Sequence, residues 1–377
     1  MKKFLALLLV LAMILSLCAC GTNTTTTPTA TAAAEATTAA AETQSTSQPA
    51  AAQTDTVTFT DSAGRNVEVP AKISKIAVTG PLAQIVLFSL APDKLVGIAT
   101  PWDVTAAQYF DSKYYNLPVL GQLYGGKGEL NLEELLAADP DVVIDVGDAK
   151  DTIVEDMNSL QQQTGIPFVH IDASISTMGD AYRALGKLLG MQDQAEALAK
   201  YCESVYSMAQ DVVAKVGADN KTSLLYCLGD DGLSVIAKGS YHSEVIDMLS
   251  DNLAAVDDPS SKGTGNQVDM EQLLKWNPQV ILFAPGSVYN TVGKDATWQQ
   301  LSAIKNGKYY EVPSAPYNWL GFPPSVQRCL GILWLADLLY PDQTGYDLYT
   351  EVAQFYSLFY HCTLTQAQFD ALMANSK

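Results

Sequence analysis

Asp145 and Asp148 are the carboxylates best placed for acid–base chemistry, since they close the apolar run VVIDVGD (142–148). Neither has an obvious partner. The three histidines, His170, His242 and His361, lie far apart, and His361 falls in the C-terminal tail. A bare zinc site needs several His and carboxylates converging, which this supply hardly allows. No G-x-S-x-G elbow, HExxH, P-loop or Gly-rich dinucleotide fingerprint occurs. Cys202, Cys227, Cys329 and Cys362 have no CxxC or zinc spacing. They read as buried core thiols, with room for one disulfide. These residue types argue against an enzyme and for binding.

The candidate binding residues cluster where strands should end. In open α/β sheets, ligands sit beyond the carboxyl ends of the strands. Here those ends read TPWD (100–103) with Trp102, GQLYGG (121–126) with Tyr124, GSYHS (239–243) with Tyr241, PGSVY (285–289) with Tyr289, and SAPYNWLGF (314–322) with Tyr317 and Trp319. Apolar walls with a few polar tips suit a small-molecule site. Each aromatic has ordinary packing at a loop–sheet junction as its alternative. Arg328 follows the Trp319 loop, in a helix expected to open at PPS (323–325). Guanidinium and helix N-terminus together suit an anionic group; an ion pair with a nearby carboxylate is the other option. The only other arginines are Arg65 and Arg183, so a cleft lined by several guanidiniums is not available.

These rims need elements to hold them. NLEELLAADPDVVID (131–145) and DMEQLLKWNPQVILF (269–283) align without gaps at a constant offset of 138 residues. Each has a cap residue, a short amphipathic helix, an Asp/Asn-Pro turn and a buried strand. Asn131 with Glu134, and Asp269 with Gln272, fit capping boxes. Glu133 and Glu271 are left over, one at the same place on each copy. Between the copies, DQAEALAKYCESVYSMAQDVVAKV (193–216) reads as one long helix about 36 Å in length. Asp193 and Glu196 fit a capping box, and Leu198, Cys202, Val205, Ala209 and Val212 form the apolar stripe. The expected fold is α/β: two Rossmann-like lobes with mostly parallel sheets, joined by one long α-helix.

The remaining chain fits this frame. Residues 1–20 have a basic start, an apolar run and the ending LCAC, the pattern of a lipoprotein signal peptide with Cys20 as the lipidated residue. Residues 21–55, almost all Thr, Ala, Ser, Gln and Pro, form a disordered tether with ends about 30 Å apart. The N-terminal lobe spans 56–176 and starts with a hairpin, VTFTDSAGRNVEVP, turning near Ala63-Gly64-Arg65. Connecting helices fill 177–217, and the C-terminal lobe with its helical tail runs from 218 to 377. Net charge is −19, which excludes nucleic acid and a polybasic membrane contact. An exported monomer is expected, held at the outer face of the cell membrane by its lipid alone.

The order of lipobox, Thr/Ala tether, hairpin phrase, NLEELL unit, long helix and DMEQLL unit resembles the substrate-binding lipoproteins of iron-siderophore and cobalamin ABC importers. The resemblance covers nearly all of residues 56–340. It implies a helix-bridged, two-lobe binding protein with little hinge motion, no cofactor of its own and an ABC permease as partner. The ligand lies between the lobes, and one glutamate per lobe docks on permease arginines; by motif these are Glu133 and Glu271. The phrase YNWLGFPPSVQRCLGILWLADLLYP is closer to a branch with molybdate- and tungstate-binding members. The ligand is thus a metal chelate of siderophore type, with molybdate or tungstate, cobalamin or haem as alternatives. Scarce arginine weighs against a strongly anionic catecholate.

Overall fold

The computed structural model describes residues 55–124 and 129–377. Cys20, the signal peptide and residues 21–54 of the tether lie outside the described residues, as do Gly125 and Gly126 of the Tyr124 rim. The chain enters through an antiparallel hairpin, β1 (Thr56–Thr60) and β2 (Asn66–Pro70), with Thr58 opposite Glu68. Gly64 turns it at φ 78°. Arg65 fixes the turn to the lobe: it pairs with Asp61 at 3.0 Å and donates to the carbonyl of Phe168, also at 3.0 Å.

The first lobe alternates strand and helix: β3 (Ile76–Val78), α1 (Pro81–Leu90), α2 (Ser112–Tyr115), α3 (Leu132–Ala138), β4 (Val142–Gly147), α4 (Ile153–Thr164) and β5 (Phe168–Asp172). The sheet order is β3-β4-β5, all parallel. Strand β4 is buried at every position, as the middle of a sheet covered on both faces must be. The run Leu95–Ala99, expected as a strand, contributes only two parallel bridges, Ile76 to Leu95 and Ile98 to Val119. A Cβ at Gly97 would fall 2.5 Å from the Leu120 side chain, so the backbones approach too closely there for a regular residue.

Two helices lead out. The first is α5 (Met178–Leu189), which stops at Gly190 in the left-handed region; the second is α6 (Gln192–Val216), 25 residues long. Leu198, Cys202, Val205, Ala209 and Val212 are all buried, as their spacing predicts. The expected capping box is absent: α6 begins one residue earlier, with Met191 as N-cap and no side-chain cap. Glu196 is drawn off by Arg183, whose guanidinium binds Glu196 at 2.7 Å and also Glu203, clamping α5 to α6. A charged fork with two carboxylates outcompetes one backbone N–H for the glutamate.

The second lobe holds β6 (Ser223–Leu228), β7 (Ser234–Val235), α7 (Glu244–Leu249), β8 (Asp251–Asn252), β9 (Asn266–Gln267), α8 (Met270–Trp276), β10 (Val280–Phe283), α9 (Tyr289–Val292), α10 (Ser302–Lys305) and β11 (Tyr309–Glu311). Its sheet runs β11-β10-β6-β7-β9, with β8 also on β6. Strands β6, β8, β10 and β11 pair parallel, while β7 runs antiparallel to both its neighbours, β6 and β9. The tail follows as α11 (Arg328–Leu339), α12 (Pro341–Thr344), α13 (Leu348–Phe359) and α14 (Gln366–Leu372). Helix α11 starts at Arg328, three residues later than the Pro-Pro-Ser phrase suggests; residues 325–327 lead in through tighter turns. Thr365 and Gln368 form a full capping box on α14.

One hydrophobic core runs through both lobes. It joins Ile76, Val78 and Phe88 to Leu198 and Val205 of α6, to Tyr226 and Leu282, and to Phe355 and Phe359 of α13. Smaller clusters back the outer sheet faces. None of the described helices is long and apolar enough to cross a membrane.

Candidate functional site

The repeated unit is present in both lobes at the expected offset. Helices α3 and α8 have seven residues each and end on a left-handed residue, Asp139 and Asn277. The Asn131 side chain accepts from the N–H groups of Glu133 and Glu134, and Asp269 accepts from Gln272. Each cap is worth about 1 kcal/mol. Only this half of the expected capping box forms in either copy; in the first, the Asn131 N–H is taken by the Leu120 carbonyl at 2.8 Å. Glu133 and Glu271 are exposed, and neither is in an ion pair among the described residues. They occupy the same place on each lobe, free to meet a partner.

The lobes meet where the carboxyl ends of their strands face each other. Three contacts mark the seam. The Tyr241 hydroxyl donates to the carbonyl of Ala173, just past β5, at 2.6 Å. Ser325 Oγ donates to the carbonyl of Leu82, in the first turn of α1, at 3.1 Å. The rings of Trp102 and Tyr317 lie 6.3 Å apart.

A cavity of about 450 Å³ opens beside this seam. Thr105 and Gln108 line it from the first lobe, Pro285, Glu311 and Ser314 from the ends of β10 and β11, and Gln368 from α14. Among the described residues, its lining includes one carboxylate, Glu311, and no Lys or Arg. Asn375 donates to Glu311 at 2.9 Å, and the Glu311 N–H donates to the Asn375 carbonyl, so the tail is tied to the edge of β11. The rim phrases include Pro285 and Ser314, but none of the seven candidate ligand residues lines the cavity. The rim argument missed Thr105, Gln108, Glu311 and the tail. Thr105 and Gln108 stand just beyond the TPWD rim and could have been read from it; nothing in the sequence signals the return of α14.

The seven aromatic and basic candidates separate into pairs and singles. Trp319 is not a wall of the cleft: it is fully buried, with its carbonyl backed by Gly331 of α11. Trp102 is also a packing residue. Its indole N–H donates to the Tyr114 carbonyl at 2.9 Å, and its ring meets Phe88 and Phe110 edge-on. Both follow from size: a ring at a loop–sheet junction buries more area inside than it offers a ligand. Tyr317 joins that cluster from the second lobe. Tyr124 is half-buried and donates to Asp156 at 2.7 Å; burial holds its phenol well above the usual range. Tyr289 lies apart, tilted against Tyr309. Tyr241 and Arg328 come together, the guanidinium carbon 4.7 Å from the ring centroid.

Arg328 takes the ion-pair option. It is 1% exposed and bridges to Glu244, the first residue of α7. Nη1 also donates to the Tyr241 carbonyl at 3.2 Å, and Nη2 to the Tyr241 hydroxyl at 3.3 Å. Burial pushes the Tyr241 phenol up to about 12, so it stays protonated and keeps its donation to Ala173. Asp145 is likewise not partnerless: it is buried, with His170 Nδ1 at 2.7 Å and the Thr79 hydroxyl on its other oxygen. Register alone brings this about, since Asp145 and His170 are neighbours on β4 and β5. The trio is sealed under the hairpin, where the Ser62 N–H binds the His170 carbonyl. The four cysteines of the described residues are free thiols, and burial pushes Cys227 up to about 12.

His242 is buried, donates from Nδ1 to the Gly321 carbonyl at 2.9 Å, and stacks on Phe322. Burial lowers its pKa, and Arg328 and Lys150 act in the same sense. A ring that resists protonation when folded loses stability as pH falls below its unfolded value of about 6.5. The expected result is a steeper fall of melting temperature from pH 7.5 to 5.5 in the native protein than in His242→Gln. Parallel pH profiles for the two would show that His242 is not a source of the loss.

Comparison with known proteins fits this geometry. The family model for periplasmic binding proteins matches residues 76–316. The molybdate-binding protein MolA of Haemophilus influenzae is 24% identical over 330 residues, which cover 80% of this chain and 90% of MolA. The Fe(3+)-citrate-binding protein YfmC of Bacillus subtilis is 24% identical over 192 residues, 50% of this chain and 58% of YfmC. Among solved structures, an ABC transporter solute binding protein from Sulfurospirillum deleyianum superposes with a TM-score of 0.77 at 27% identity, covering 84% of this chain and 99% of that one. With more than half of its length matched, the chain belongs to the periplasmic binding protein family, whose members of this type serve ABC importers as substrate-binding proteins.

Proposed function

We propose that the protein captures an iron chelate of low net charge and hands it to an ABC permease. The observation that carries this reading is the cavity beside the lobe seam. Its volume lies within the usual range for a small-molecule site, and its lining mixes Pro, Val, Ala and Leu with amide and hydroxyl groups and a single carboxylate. A compact oxyanion would find no cation there. A bulky chelate with its charge buried would find hydrogen-bonding groups on three sides. Cys20 is the proposed lipid anchor, Glu133 and Glu271 are the proposed docking residues, and the working form is a monomer at the outer face of the membrane.

Calorimetric titration of the detergent-solubilised full chain tests the reading. Ferric hydroxamate chelates are expected to bind, and Ser314→Trp, which projects an indole into the cavity, is expected to weaken them about tenfold or more, or 1.4 kcal/mol. Unchanged affinity in Ser314→Trp would move the site elsewhere. No binding of any ferric chelate would end the proposal. Oxometallate binding is the second reading, favoured by the similarity to MolA over most of both chains. It requires a site outside this cavity, at Arg328 beside the Tyr241 contact of the seam, with Arg328 exchanging its present partner.

A further inference from the structure

Arg328 is already occupied, and the identity of its occupant matters. Its guanidinium stands at the first residue of α11, a 12-residue helix, where the helix dipole adds positive potential. It is inaccessible, yet the Glu244 side chain bound to it is 29% exposed. Solvent thus reaches the partner carboxylate but not the guanidinium. Nε of Arg328 is buried and has no acceptor among the described residues. Nη2 points at the Tyr241 hydroxyl, which is committed to Ala173. A buried guanidinium with a spare donor, at a helix N-terminus on a lobe seam, has the chemistry to take an oxyanion. Glu244 supplies one from within the chain.

We infer that Glu244 is a specificity-determining residue: its carboxylate holds the oxyanion position on Arg328 and so restricts the cleft to ligands without a compact negative group. This rests on the chelate reading above: Arg328 is not part of the cavity lining but stands at the Tyr241 contact of the seam, and with Glu244 on it no free guanidinium competes there for a compact anion. Arg328 cannot escape by losing its proton, since guanidinium stays charged in proteins. Removing Glu244 must leave a buried, uncompensated cation, a costly state that a dissolved anion can relieve.

The experiment compares the full chain with Glu244→Ala and Glu244→Gln, each titrated with sodium molybdate and, separately, with ferric hydroxamate chelates, alongside melting curves. In the native chain molybdate is expected to leave the melting temperature unmoved. Glu244→Ala is expected to melt lower, to regain several degrees with molybdate, and to bind it at least roughly tenfold more tightly than the native chain. Glu244→Gln fills the space without the charge and is expected to show a smaller gain of the same sign; it carries the test if the alanine variant does not fold. Adding Arg328→Met to either variant is expected to abolish the gain. Variants that bind molybdate no better than the native chain would overturn the inference, as would a gain that survives loss of Arg328 or a native chain that binds molybdate as tightly as the variants. The chelate titrations separate the two ideas. Chelate binding by the native chain with no molybdate gain in the variants removes the role of Glu244 alone. A molybdate gain in the variants with no chelate binding by the native chain removes the chelate alone.

Discussion

A Glu133→Ala/Glu271→Ala double variant is expected to bind its ligand with unchanged affinity and to support no uptake. Both carboxylates are exposed at the second position of short helices, one per lobe, and neither pairs within the described residues. Inside the protein each contributes only a few tenths of a kcal/mol through the helix dipole. Folding and ligand binding should therefore barely change. Against a permease the same groups would lose water and meet cations, where truncating one partner of a buried charge pair costs about 2–5 kcal/mol. Two such losses on one docking face are enough to abolish productive engagement. The measurement is uptake of labelled ligand in cells carrying the cognate permease, beside a calorimetric dissociation constant for each variant. Normal uptake by the double variant would remove the docking role from both residues.

Trp319→Ala is expected to cost about 3–5 kcal/mol of stability, the range for emptying a buried aromatic site. At about 2–4 °C per kcal/mol for a chain of this size, that is a fall of roughly 10 °C in melting temperature. The side chain is fully buried, and no collapse can fill the space cheaply while Gly331 of α11 is held against the Trp319 carbonyl. Thermal and denaturant unfolding measure the loss. A variant that melts like the native protein but binds ligand poorly would restore Trp319 to the cleft wall.

What was legible in the sequence was what is decided locally. Asn131 and Asp269 announce their helices because a cap needs only the next three residues. The apolar stripe of α6 shows because helical period is a local property. The Glu196 cap failed for the opposite reason: Arg183 arrives from another helix. The same holds at the site. Glu244 lies 84 residues from Arg328, and nothing in either segment names the other. Trp102 and Trp319 have the residue type of a binding wall, but type does not say which side of a loop faces water. Of the cavity lining, the rim phrases hold Pro285 and Ser314 but no candidate ligand residue, and the wall from α14 depends on how the tail returns across the second lobe.

That return has a consequence for how the molecule is made. Phe359 packs on Tyr182 and Tyr201, and His361 reaches the Phe88 carbonyl at 3.1 Å, so residues around 360 complete packing begun more than 150 residues earlier. A polypeptide emerges N-terminus first, and contacts of such sequence separation form late. The first lobe must therefore wait, with part of its apolar surface uncovered, until residues 348–361 have been made. Emergence of α13, rather than completion of the first lobe, becomes the moment of folding, and a product truncated before residue 348 is left as a substrate for proteases.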